Sequence, residues 1–353
     1  MGYLRDNIEA MTGYTPGEQP PADACVVKLN TNENPYPPSP KVLKVLRDTD
    51  WVILRKYPDP MANRVRQVVA REWRIGREQV LCGNGSDELL TLVVRACVGG
   101  GDAIAYPTPT YSLYPVLAEI QGARSVEVPT RADFSPPLEE LAAVRARLLI
   151  FCNPNAPTGF WTPPEDVARL ADRFKGVLVV DEAYADFAPA SAIPLLKDKL
   201  NVLVFRTLSK SYSLAGLRLG LAVGAPGLIA GLAKVKDSYN LDAVQIEAGA
   251  AALEDRAYTA AMVEKVRAER KRLAGRLEAL GFAVVPSQAN FLLAAVPGGD
   301  GRAWYEGLKA HGILVRYWNQ PRLDDKLRIT VGTPEGNDRL LDAVEALIKE
   351  AKA

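Results

Sequence analysis

The chain has 353 residues, of which 48% are hydrophobic and 24% charged, with a formal net charge of +1. That length exceeds one ordinary core and predicts two domains, and a charge so close to zero gives no reason to expect nucleic acid. No apolar stretch is long enough for a membrane span, MGYLRDNIEAM lacks a signal-peptide pattern, and Cys25, Cys82, Cys97 and Cys152 show no CxxC spacing, so a cytoplasmic protein with small buried thiols is expected.

Residues 1–28 read as an N-terminal arm, a short helix followed by the turn-rich GYTPGEQPP. From 29 to 252 short apolar strands alternate with amphipathic helices, which predicts a large α/β domain with a mostly parallel central sheet flanked by helices. The strand candidates are VLCG, AIAYP, SVEVP, LLIFC, VLVV, NVLVF and LGLAVG. A charged helical pattern spans roughly 255–280, and the rhythm then changes to a smaller α+β C-terminal domain, 253–353, with strands at ILVRYW and LRITVG and a final helix from about 335. The one histidine, His311 in KAHGIL, reads as a helix end; its isolation argues against a Ser–His–Asp triad and against a His-rich metal site.

The chemistry gathers at the ends of the strands. QVLCGNGSDELL runs strand, glycine turn, helix, so that Ser86, Asp87 and Glu88 open a helix whose free N–H groups form a phosphate seat. No GK[ST] follows, and glycine turns before helices are common. PTPTYSLYP offers Tyr111, an aromatic either packed in the core or stacked on a planar ring. NPNAPTG is a polar turn after LLIFC, and TPPEDV reads as a helix start with Thr162 as its N-cap. In GVLVVDEAYADF, Asp181 ends a buried run; it is a cap or turn residue, or a partner for a pyridine nitrogen, and Tyr184 either packs or donates to a ring oxygen. In NVLVFRTLSKSYSLAGLRLG, Lys210 stands at the end of another buried run among Thr207, Ser209 and Ser211, with Arg218 following. Most lysines are solvated surface charges, and one placed here suggests a shifted pKa or a covalent role. An amine nucleophile beside a hydroxyl-and-guanidinium anion site suggests pyridoxal 5'-phosphate (PLP), held as a Schiff base.

The motifs LNTNENPYPPSP, RKYPDP, GNGSDE, PTPTY, NPNAPTG, VDEAY, TLSKSYSLAGLRLG and LRITVG, in this order over nearly the whole chain, resemble those of the aspartate-aminotransferase-like superfamily, PLP fold type I. Within it the chain is most similar to the histidinol-phosphate aminotransferases. The resemblance implies that Lys210 holds the cofactor and shuttles the substrate proton, and that Asp181 pairs the pyridine nitrogen. It puts Tyr184 on the ring oxygen and Tyr111 on the ring face. Ser86, Asp87, Thr207, Ser209 and Arg218 would hold the phosphate, with Tyr57 reaching the phosphate of the partner subunit's cofactor in a homodimer.

Arg328 would grip the substrate carboxylate, and Arg316, Tyr14 and Asn84 would line the substrate pocket. The family's asparagine before PTG is replaced here by Ala156, and its contact is assigned to Asn155. The implied substrates are histidinol phosphate with L-glutamate and 2-oxoglutarate. An aromatic or broad-specificity aminotransferase and a threonine-phosphate decarboxylase share the lysine, aspartate and arginine. A ligand-sensing regulator would need length and a basic patch absent here, and an NAD-binding protein would need a G-x-G-x-x-G after the first strand.

Overall fold

The computed structural model describes residues 2–21 and 25–351. Residues 1 and 22–24 of the expected arm lie outside them. The strands in chain order are β1 (Val27–Lys28), β2 (Val80–Asn84), β3 (Ala103–Thr108), β4 (Arg124–Pro129), β5 (Leu148–Cys152), β6 (Val177–Asp181), β7 (Val202–Thr207), β8 (Leu219–Gly224), β9 (Ala283–Val285), β10 (Phe291–Ala295), β11 (Ile313–Leu314) and β12 (Lys326–Thr330).

Seven strands form the central sheet, in the order β2-β8-β7-β6-β5-β3-β4. All pairings within it are parallel except those of β8, which runs antiparallel to both β2 and β7. The composition of the strands explains their places. β5, β7 and β8 are buried at every position, as strands covered by helices on both faces must be; their runs are apolar except at the end of β7, where Arg206 is paired with Glu182 and Asp186 and Thr207 follows. β4, at the edge, alternates exposed and half-buried residues. All seven strand candidates are present. At the crossing of β8 over the helix Gly85–Cys97, backbone touches backbone. A Cβ on Gly220 would lie 2.6 Å from the carbonyl carbon of Gly85, so only glycine fits.

The C-terminal body is built on an antiparallel sheet, β12-β10-β9, packed against the helices Arg256–Ala279 and Pro334–Glu350. The strand expected from ILVRYW is short. Only Ile313–Leu314 pairs, in parallel with β1, and the ladder resumes at a single bridge between Arg316 and Arg328. Val27 and Lys28 therefore pair with this body rather than forming part of the arm, and Leu29 packs with it rather than with the large body: Val27 pairs with Ile313, and Leu29 lies in the same core as Leu273, Leu292 and Leu340.

Two local expectations need correction. The helix after NPNAPTG runs Pro164–Arg173 with Pro163 at its N-cap and no side-chain cap. Thr162 is instead a buried backbone partner of Asn153, its N–H donating to Oδ1 at 2.8 Å and its carbonyl accepting from Nδ2 at 2.9 Å. Cys25 is exposed and Cys97 only half-buried, whereas Cys82 and Cys152 are buried; burial pushes the Cys82 thiol up to about 12. His311 caps the helix Gly301–Ala310, as its sequence predicts. Among the described residues no helix is long and apolar enough to cross a membrane, and no cluster of three or more His, Cys, Asp or Glu side chains suits a metal.

Candidate active site

The carboxyl ends of β5, β6 and β7, the start of the helix Gly85–Cys97, the segment 30–32 and β12 enclose a cavity of about 710 Å³. Open parallel sheets place ligands at this end of their strands.

Lys210 follows β7 and enters the cavity from below. Its Nζ donates to the carbonyl of Thr31 at 3.2 Å and lies 5.8 Å from the centre of the Tyr184 ring. Burial first, then the Arg328 charge, lowers its pKa to about 8, so the amine is available as a nucleophile near neutral pH. Asn34 fixes the backbone around it, donating Nδ2 to the carbonyls of Lys210 and Ser211 at 3.1 and 3.2 Å.

Asp181 ends β6 and is buried. Its Oδ2 accepts from the Tyr114 hydroxyl at 2.8 Å and its Oδ1 from the Ala183 N–H at 3.2 Å. Burial outweighs these bonds and raises the carboxyl to about 6. A carboxylate so placed favours a cation beside it.

An anion cradle lies across the cavity. The helix Gly85–Cys97 presents its N-terminus beside Thr207, Ser209 and Arg218. Thr207 Oγ1 donates to Ser209 Oγ at 3.0 Å, and Arg218 reaches Ser209 Oγ and Asp87 Oδ2, both at 3.4 Å. The left-handed Gly85 (φ 81°) leaves the room: a Cβ there would sit 2.5 Å from the Arg218 guanidinium. Ser86, Asp87 and Tyr111 line the same wall, and the Tyr111 hydroxyl donates to Asp87 Oδ1 at 3.3 Å.

On the opposite wall Arg316 and Arg328 are bridge partners, and Trp318 lies 5.3 and 5.2 Å from their guanidinium carbons. Arg328 donates to the carbonyl of Asn30 at 2.7 Å, while its Nε is buried without a partner. Burial lowers its pKa to about 10. Arg316 holds the arm, donating to the carbonyls of Thr15 and Pro16. Among the described residues neither guanidinium has a carboxylate partner, an arrangement suited to an anionic ligand. Tyr14 closes the cavity, edge-on to Tyr111 with ring centroids 5.8 Å apart.

The structure thus brings together twelve of the fifteen residues singled out in the sequence: Tyr14, Ser86, Asp87, Tyr111, Asp181, Tyr184, Thr207, Ser209, Lys210, Arg218, Arg316 and Arg328. Asn84, Asn155 and Tyr57 lie elsewhere. Asn84 is exposed and accepts from Gln245 Nε2 at 3.1 Å. Asn155 is tied to the loop after β3 and to its own turn: Nδ2 donates to Pro109 O and Thr158 Oγ1 and Oδ1 accepts from Thr110, and Ala156 takes the place on the cavity wall. Tyr57 is 82% exposed and stacks on Tyr239 at 4.5 Å. Sequence reasoning missed Asn30, Asn32, Asn34 and Tyr114. Tyr114 had a signal, standing three residues after Tyr111 and hence on the same side of the following turn.

The site has the parts a phosphorylated pyridine aldehyde requires: an amine of lowered pKa, a carboxylate that favours a cation, and an anion cradle a Cβ would fill. Comparisons with known proteins agree. The family model of aminotransferase class I and II matches residues 24–344. A histidinol-phosphate aminotransferase of Nostoc sp. is 49% identical over 347 residues, covering 98% of each chain. That of Geobacter sulfurreducens is 44% identical, covering 98% of this chain and 99% of its own. Among solved structures, the histidinol-phosphate aminotransferase of Sinorhizobium meliloti in complex with pyridoxal-5'-phosphate superposes with a TM-score of 0.89 at 28% identity, covering 98% of this chain and 99% of that one. The fold is type I of the PLP-dependent transferases, and the chain belongs to the class I and II aminotransferases.

Proposed function

We propose that this chain is a histidinol-phosphate:2-oxoglutarate aminotransferase of histidine biosynthesis, acting with PLP as a cytoplasmic homodimer. The observation that carries the substrate reading is the pair Arg316–Arg328, two guanidinium groups that have no carboxylate partner among the described residues and face Lys210 across one cavity. The name of the curated relatives at 44–49% identity supports it.

In this reading Thr207, Ser209, Arg218 and the N-terminal amides of the helix at Ser86 and Asp87 hold the cofactor phosphate. Asp181 pairs the ring nitrogen, Tyr184 serves the ring oxygen and Tyr111 covers the ring face. When bound, PLP supplies an electron sink for the pair left at the substrate α-carbon on deprotonation. Lys210 Nζ carries that proton, with a pKa near the working pH so that it can both take and return it. The Arg328 fork orients the substrate and grips a carboxylate in one half-reaction and the phosphate of the other substrate in the next, with Arg316 beside it. Tyr14 and the arm close over the reacting atoms and exclude water.

The body 29–252, less Leu29, would supply the cofactor residues, and the body 253–353, joined by Val27–Leu29, both arginines, with Thr15 and Pro16 of the arm held by Arg316. Dimerisation is supported by the exposed Val52, Leu54 and Tyr57 on one short segment.

The test is turnover of the purified protein with PLP, histidinol phosphate and 2-oxoglutarate. Glutamate formation supports the reading. Activity on phenylalanine or tyrosine alone would move it to an aromatic aminotransferase, and carbon dioxide release without a keto acid to a decarboxylase. Two further results are expected. Arg328→Lys should raise KM for both anionic substrates by about tenfold or more while PLP affinity changes little, because a point charge cannot replace a planar fork; equal loss of both would make the arginine structural. Capture of PLP by the apoprotein should quicken about tenfold per pH unit below 8 and level off above it, since only the neutral amine attacks. A flat profile from pH 6 to 9, followed as growth of visible absorbance, would contradict the lowered lysine.

A further inference from the structure

The ring-oxygen contact assigned to Asn155 has no group to make it. Ala156 stands on the cavity wall, and both Nδ2 hydrogens of Asn155 go to Pro109 O and Thr158 Oγ1. That leaves Tyr184, whose hydroxyl has one hydrogen and can point it anywhere the phenol torsion allows. What fixes its direction is on a different segment.

Asn32 is buried and left-handed, with φ 56°. Its Nδ2 donates to Tyr184 Oη at 3.0 Å. The Asn32 backbone N–H donates to Thr330 Oγ1 at 3.0 Å, and the Thr330 hydroxyl donates to Asn32 Oδ1 at 3.1 Å, an arrangement in which Nδ2 is the group turned to Tyr184. Asn290 Nδ2 clamps the Asn32 carbonyl at 3.0 Å. With Oη accepting from Asn32, its own hydrogen is free to turn into the cavity.

We propose that Asn32 is a positioning residue for the reaction: it holds the Tyr184 hydroxyl as a donor toward the cofactor's ring oxygen, at a site where Ala156 stands in place of a second side-chain donor. The relay begins at Thr330, two residues beyond Arg328 on the same face of β12, so the strand that presents the acid-binding fork also sets the donor. The inference rests on the reading of the cavity as a PLP site.

The experiment is a pH titration of the visible absorbance of the lysine-bound cofactor in the loaded enzyme. A donor to the ring oxygen stabilises its charge most when the adjacent linkage nitrogen has lost its proton, so a weakened donor raises the midpoint. Lys210, Arg328, Asp181 and Cys152 also face Tyr184 and are kept unchanged in every variant. Asn32→Gly suits the left-handed backbone and is expected to raise the midpoint by about half a pH unit, the size of one modest hydrogen bond. Thr330→Val, which removes one hydroxyl from the same relay, should move it the same way and carries the test if Asn32→Gly fails to fold. Tyr184→Phe should raise it further, and Asn32→Gly added to Tyr184→Phe should add nothing. An unmoved midpoint in both relay variants, or an equal shift with and without Tyr184, overturns the proposal. No visible band in the unaltered protein would sink the reading of the site itself, and this inference with it.

Discussion

Lys210→Ala is expected to abolish turnover, lowering kcat by at least about four orders of magnitude, while the chain still folds. The size follows from losing two roles together, the covalent seat of the cofactor and the proton carrier, and proton transfer alone is worth about two to four orders. Retention of the fold follows from the contacts: Nζ makes one hydrogen bond, to Thr31 O, whereas the local backbone is held through Lys210 O and Ser211 O by Asn34. Removing a partly desolvated cation leaves no buried donor stranded. Circular dichroism should be unchanged, the visible band should vanish, and a small primary amine added from solution should restore a little activity. Turnover within tenfold of the unaltered enzyme would refute the assignment of Lys210.

Asp181→Asn carries the second large effect, a loss of roughly two to four orders of magnitude in kcat/KM, because a neutral amide cannot hold a charge on the ring nitrogen. Its apoprotein should behave in the opposite sense. Burial raises the carboxyl to about 6 from its ordinary 3.8, so the folded chain binds that proton more tightly than the unfolded one. The resulting stabilisation is complete below 3.8 and is lost as pH rises through 6. At pH 8 the buried carboxylate is therefore a burden that asparagine lacks, and apo Asp181→Asn should melt no lower than the unaltered apoprotein. A variant that melts several degrees lower at pH 8 and keeps its rate would make Asp181 a structural group only.

These two residues were legible in the sequence because Asp181 ends a continuous apolar strand and Lys210 follows another by three residues, and a charged group at such a place needs a reason. The seven strands of the central sheet were legible for the same cause. The misreadings share another. Asn155 was placed by its distance from PTG along the chain, but its amide is satisfied by Thr110 and Pro109, some 45 residues away, which no local pattern reveals. Asn32 meets Tyr184 across 152 residues and Thr330 across 298, so its use is a property of the fold. Thr162 looked like a cap because threonine before proline often is one; the neighbouring Asn153 claims its backbone instead. Asn84, assigned to the substrate pocket, instead accepts from Gln245, 161 residues away, whereas Tyr57, assigned to the partner subunit's cofactor, lies exposed on the surface.

The antiparallel placement of β8 has a consequence for how the molecule comes into being. Thr207 pairs with Gly220, so Lys210 and Arg218 ride in the single connection of one hairpin. Closing so short a loop costs little chain entropy and takes microseconds, whereas Asp181 is brought in by a connection about twice as long, 182–201, and Arg328 only by the second body, far along the chain. The nucleophile and its neighbouring guanidinium are thus near each other early in folding, while the carboxylate and the acid-binding fork arrive only as the sheet and the second body close. A nascent chain holds its lysine before it holds the burial and the Arg328 charge that turn the amine into a nucleophile.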